Sequence, residues 1–189
     1  MFDSLTKTRL RPGILSVLLM VFGLVACDAS TSVAQSAASE IEETGFIEGT
    51  VGEATGRWVT FRQSFEGESS STSNFSSPAG MMTSYTLQGH ETTRFAIKNS
   101  VSVSFTLMNG ALVESGVNYF HTDNMRQFYG DHEGSVTVQL SSVDNADGVA
   151  RVAGTVKGRV YRMEGMTAEV VPSDFMDIDL QFEATAFKE

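Results

Sequence analysis

Residues 176–187 read Met-Asp-Ile-Asp-Leu-Gln-Phe-Glu-Ala-Thr-Ala-Phe, and this stretch decides the fold class. Met176, Ile178, Leu180, Phe182, Ala184 and Ala186 fall on one parity. Asp177, Asp179, Gln181, Glu183 and Thr185 fall on the other. Alternation of this kind describes a strand with one face on a core and the other in water. A helix would scatter the same apolar residues around its circumference, because residues two apart lie on different helical faces.

The same period recurs upstream. "VSVSFTLM" (101–108) sets Val101, Val103, Phe105 and Leu107 against serines and a threonine, and "SVTVQL" (135–140) does the same with Val136, Val138 and Leu140. Further strand candidates are "FIEGTV", "RWVTFRQS", "MTSYTLQ", "TRFAIK", "GVNYFH", "RQFY", "VARVAGTVKGRVYR" and "MTAEVV". Asn109-Gly110 and Asp147-Gly148 are tight-turn pairs, and the second predicts a hairpin between "VTVQLSSV" and "VARVAGTV". Gly154 and Gly158 share a face with Val152, Val156 and Val160, where glycine marks a bulge or a close approach of another segment. The expected fold is all-β: an antiparallel β-sandwich of roughly 8–10 strands. A lipocalin-like barrel is the alternative, since consecutive hairpins also close. The serine-rich stretch "EGESSSTSNFSSPAG" (66–80) has little to bury and reads as a mobile loop or crossover.

Ahead of this β domain (45–189) lie two other segments. Residues 1–26 carry Lys7, Arg9 and Arg11, then an apolar run from Ile14 to Ala26, too short to span a bilayer as a helix. This is the pattern of a secretory signal peptide. Residues 27–44 hold the chain's one cysteine, Cys27, followed by small polar residues that read as a flexible tether, with a short helical turn expected in "ASEIEE". A disulfide within the chain would need a second cysteine, and a reactive thiol needs a structured electropositive pocket.

The sequence Leu24-Val25-Ala26-Cys27 resembles the lipobox of bacterial lipoproteins. That resemblance implies cleavage before Cys27, multiple acylation of Cys27, and a location in the bacterial cell envelope, held to a membrane by lipid. Asp28 resembles the enterobacterial signal for retention in the inner membrane; other bacteria read that position differently, so inner and outer membrane both stay open.

The full chain has a net charge of −10. Cleavage before Cys27 would remove three basic residues and one acidic residue and leave the remainder more acidic still. Acidity excludes a nucleic-acid partner, which needs a basic footprint for its phosphates. It also leaves adhesion to anionic lipid to the acyl chains.

Chemistry-bearing residues concentrate in "NYFHTDNMRQFYGDHEG" (118–134). His121, Asp123 and His132 are the candidate ligands of a divalent metal, the one cofactor the sequence suggests. They match no metal motif, and an ordinary surface hairpin accounts for them equally well. Tyr119, Phe120, Arg126, Phe128 and Tyr129 are candidates for a ligand face, with aromatics to stack and polar neighbours to orient. Consecutive aromatics on a strand point to opposite faces, so at least one of each pair belongs to the core. No nucleophile elbow, P-loop or dinucleotide fingerprint is present. Three functions follow. The first is a binding or interaction module for a protein, glycan or small apolar ligand. The second is a metal-assisted hydrolase using 121–133, and the third is an envelope-assembly protein without a ligand.

Overall fold

The computed structural model describes residues 39–78, 80–122, 126–131, 134–164 and 169–189. Cys27, Asp123 and His132 lie outside them. The described residues form eleven strands: β1 (Glu40–Val51), β2 (Ala54–Phe65), β3 (Glu68–Ser71), β4 (Ser73–Ser76), β5 (Met82–Gly89), β6 (Ser100–Met108), β7 (Ala111–Phe120), β8 (Gln127–Asp131), β9 (Val136–Ala146), β10 (Val149–Glu164) and β11 (Glu169–Lys188). The fold is all-β, as the alternation requires, with one strand more than the expected range.

The described strands form one continuous sheet that folds into two layers. One runs β3-β2-β1-β11-β10-β9 and the other β4-β5-β6-β7-β8. Three corners join them: Tyr129 and Phe128 pair with Tyr161 and Arg162, Asn74 and Phe75 with Phe187 and Lys188, and Val59 with His90. Every pairing between strands is antiparallel except β4 with β11.

β11 behaves as its sequence dictates. Ile178, Leu180, Phe182, Ala184 and Ala186 are buried, while Asp177, Asp179, Gln181 and Glu183 are exposed. Across the core, ring centroids of Phe75, Tyr85, Phe105 and Phe182 follow one another at 5.7, 4.7 and 6.2 Å. This aromatic run ties β4, β5 and β6 to β11. Tyr85 is fully enclosed, yet its hydroxyl exchanges hydrogen bonds with the Asn145 amide at 2.8–3.1 Å. That satisfies the polar end of a large buried ring.

The two tight turns have the backbone their sequences predict. Asn109 and Gly110 take φ of 52° and 82°, and Asp147 and Gly148 take 51° and 79°. Positive φ at both central residues matches the twist of the flanking strands.

Three expectations are corrected. Residues 40–44, read as the end of the tether with a helical turn, belong to β1, where Ile41 and Glu42 pair with Gln63 and Arg62. Residues 93–98 are loop rather than strand, although Phe95 and Ile97 keep the alternation. One edge of β5 is already paired with β4 and the other with β6, so the sheet has no place for this segment there. The serine-rich stretch holds β3 and β4. Thr72 donates from its N–H to the Phe61 carbonyl, and its Oγ1 accepts from the Phe61 N–H, both at 2.9 Å. Small side chains do not stop a strand whose backbone finds partners: β3 pairs with β2, and β4 lies between β5 and β11.

His90 closes the corner between β2 and β5. It is 2 % exposed, its ring packs against Phe61 and Phe95, and its Nδ1 lies 2.8 Å from the Ala96 carbonyl. Burial lowers its pKa below the usual imidazole value, a shift the Ala96 hydrogen bond opposes. The folded state therefore holds the ring neutral at a pH where the unfolded chain already binds a proton. The resulting stability is fully present above about pH 6.5 and is lost as the pH falls below it. Thermal melts between about pH 7.5 and pH 5 should show this loss, and His90→Gln, which cannot titrate, should flatten it.

Candidate functional site

Residues 118–120 and 127–131 lie on paired strands. β7 and β8 pair in the register Asn118↔Tyr129, Tyr119↔Phe128 and Phe120↔Gln127, and the His121 N–H donates to the Arg126 carbonyl at 2.8 Å. The strand period then sorts the aromatics. Tyr119 and Phe128 point inward and are 4 % and 0 % exposed. They belong to the core, so they present no face to a ligand. This corrects the sequence reading for those two residues. Phe120 and Tyr129 point outward and are half-buried. Between them the Gln127 amide donates to Asn118 Oδ1 at 2.7 Å.

Arg126 stands at the rim. Its guanidinium lies 5.9 Å from the Phe128 ring centroid and 3.9 Å from the Asp174 carboxylate. His121 is half-buried, with its ring edge-on to Tyr119 at 6.0 Å and tilted to Phe128 at 6.3 Å. The other two candidate metal ligands, Asp123 and His132, are among the residues outside the description. Among the described residues no three His, Cys, Asp or Glu side chains converge.

The register extends the site beyond β7 and β8. Tyr129 pairs with Tyr161 of β10, and Tyr161 with Phe175 of β11. On the other side, Asn118 pairs with Ser102 and Ser102 with Gln88. One continuous row thus crosses six strands on the outer surface: Gln88, Ser102, Asn118, Tyr129, Tyr161, Phe175. Half of it is amide and hydroxyl, and half is aromatic. None of the six carries a charge at neutral pH.

Its neighbours hold the aromatic half in place. The Tyr161 and Phe175 rings lie 6.0 Å apart. Arg159 caps Phe175 at 4.2 Å from the ring centroid while its Nε donates to Asp177 at 2.8 Å. Arg162 donates to Asp174 at 2.6 Å. Pairs this exposed contribute little stability, so their role is to orient. Tyr129 reaches across β7 to Gly116, where any side chain would begin about 3.2 Å from the phenol oxygen. Partial burial raises the Tyr129 pKa above the usual phenol value, and Asp131 and Glu114 add to the shift. At neutral pH the phenol stays protonated and can donate a hydrogen bond.

A groove of about 710 Å³ lies on the outer face of β1, β2, β10 and β11, lined by Glu48, Arg57, Lys157, Asp179 and Gln181 among others. Its charges already serve one another. Arg57 donates to Glu48 at 2.6 Å, Gln181 donates to Glu48 at 2.6 Å, and Lys157 reaches Asp179 at 2.9 Å. The Arg57 and Gln181 hydrogen bonds hold the Glu48 carboxyl below the usual carboxylate range. A ligand there would first have to break these pairs, whereas the aromatic row offers ring faces and hydrogen-bonding groups together.

Sequence reasoning found Phe120 and Tyr129 and missed Tyr161 and Phe175. Tyr161 does carry a signal, since it occupies an outward parity of "VARVAGTVKGRVYR", next to the buried Val160. Nothing local places it beside Tyr129. No protein-family model, curated protein or solved structure matches this chain.

Proposed function

We propose that this protein is a lipid-anchored binding module of the bacterial envelope and that its outer aromatic row takes a glycan chain. The lipobox and the polar tether support the anchor, with Cys27 as the acylated residue. The row from Gln88 to Phe175 carries the glycan reading. A sugar presents apolar C–H faces and a rim of hydroxyls, and it needs rings to lie on and planar polar groups to meet its hydroxyls. Tyr129, Tyr161 and Phe175 supply the rings. Asn118, Gln127 and Ser102 supply amides and a hydroxyl, and the Tyr129 phenol supplies a donor. A groove for nucleic acid or a polyanion would instead be lined with unpaired Arg and Lys.

The test is retention of the mature protein on purified cell-wall glycan, together with titration by a soluble chito-oligosaccharide. Tyr161→Ala and Phe175→Ala should each weaken binding about tenfold or more, the loss typical of an aromatic anchor. Arg57→Ala, on the charged groove, should leave it unchanged. Failure of the wild-type protein to bind either glycan would remove the proposal. Equal binding by Tyr161→Ala would move the site elsewhere.

A further inference from the structure

The strand register gives the domain two distinct ends. β1 starts and β11 finishes at the same end, with Gly45 opposite Ala184 and the chain running to Glu40 and Glu189 beyond. Phe187 runs parallel to Asn74, and the sheet continues from there through Ser76↔Ser84 and Met82↔Met108 to Ala111. The β5–β6–β7 tips therefore belong to the end where the chain leaves towards Cys27. The outer aromatic row lies towards the opposite end, beyond the Val51↔Ile178 pair.

One side of that first end carries a cluster of exposed apolar residues, while Glu66, Glu68 and Asp147 occupy its other tips. Met81, Met82, Met108, Leu112 and Val113 are 67, 41, 45, 38 and 40 % exposed. Met82 faces Met108 across the strands, Leu112 pairs with Leu107, and the Asn109 N–H donates to the Met81 carbonyl at 3.0 Å. Met82 and Met108 share the outward parity of Ser84 and Thr106, and Leu112 takes the inward parity of Leu107. The tip is thus apolar on both of its faces, as a wedge is, and not only along the side that meets the core. Ile41 and Phe65, 43 and 48 % exposed, stand at the same end on β1 and β2.

We infer that this end of the domain rests on the lipid bilayer, with the Met81–Met82 and Met108–Val113 tips dipping into its surface. The inference rests on the proposed acyl anchor at Cys27. Residues 28–38 reach at most about 40 Å when fully extended, so an anchored Cys27 keeps the start of β1, and the tips beside it, within that distance of the membrane. A second copy is a poorer occupant, because a stable interface takes about 20–30 residues a side and the tip offers five. Flexible, unbranched methionines suit an irregular lipid surface. Acidic Glu40, Glu42, Glu43 and Glu114 outnumber basic Arg62 and Lys188 around it, so no net positive charge draws it to lipid. The contact is therefore apolar in origin and should not respond to salt. Docked this way, the domain holds its aromatic row roughly 25 Å above the membrane, the length of an eight-residue strand.

The experiment uses the mature acylated protein in phosphatidylethanolamine–phosphatidylglycerol vesicles with brominated acyl chains. The native Trp58 is buried and gives a constant background. A second tryptophan is introduced by Met81→Trp or Met82→Trp, and by Ile97→Trp at the far end as a control. Emission from the tryptophan introduced at either tip position should shift to the blue. It should be quenched severalfold more than emission from the Ile97→Trp control, equally at low and high salt. Protein that floats with the vesicles while both tip variants stay unquenched would overturn the docking and leave the anchor intact. A blue shift without lipid quenching would assign the tip to a protein contact and overturn it as well. Protein that does not float would remove the anchor and the docking together.

Discussion

Gly158→Ala should destabilise the domain by about 3 kcal/mol or more, and the melting temperature should fall by roughly 10 °C. Two causes act at this one position. Gly158 has φ of +139°, a conformation that residues with a β-carbon almost never adopt. A β-carbon there would also collide with the Ser135 carbonyl and the Val136 Cα. Neither can give way, because Gly158 pairs with Val136 on one side and Ile178 on the other, and the Ser135 carbonyl accepts the Arg159 N–H at 2.6 Å. Gly67→Ala separates the two causes. Gly67 has φ of +87° with open space around it, so its loss should cost only about 1 kcal/mol. Differential scanning calorimetry of the two variants reads the comparison directly. Equal, small losses would show that β9 and β10 are not held as closely as the register requires.

Cys27→Ser should move the protein from the membrane to the soluble fraction, or arrest it as an uncleaved precursor. Each buried methylene contributes about 0.8 kcal/mol, and stable anchoring takes two chains or one chain with a basic patch. The mature chain has no excess of basic charge to substitute for lipid. The apolar tip is too small to hold the domain alone, so removal of the acyl site should release nearly all of it. Fractionation followed by mass spectrometry of the N-terminal peptide is the measurement, and an unmodified Cys27 in the mature membrane-bound protein would refute the assignment.

The parts of the fold that were legible in sequence share one property: they are set by neighbours in the chain. The alternation of 176–187 depends on residues two apart. The Asn109-Gly110 and Asp147-Gly148 turns depend on two adjacent φ angles. Tyr119 and Phe128 follow the same logic, since opposite parity forces one member of each aromatic pair inward, although sequence alone could not say which. What was not legible depends on partners far along the chain. Residues 93–98 have a strand's pattern and lack a free edge to join. Residues 68–76 lack a strand's composition and still find open edges, β3 on β2 and β4 between β5 and β11. Tyr161 and Phe175 reach the site only because β8 hands its register to β10 at a corner, and no local pattern encodes that hand-over.

The pairing of β1 with β11 has a consequence for how the protein comes to be folded at all. Glu48 meets Gln181, so the layer that holds β1 cannot be completed until the last strand is available. During synthesis the N-terminal strands must therefore wait for the C-terminus, and a closure that joins the two ends of a chain is slow. Under the export that the proposed acyl anchor at Cys27 implies, such a delay would help: the topology itself would keep the polypeptide threadable until translation is over. It also means that trimming β11 should not shorten the domain but leave it without a middle.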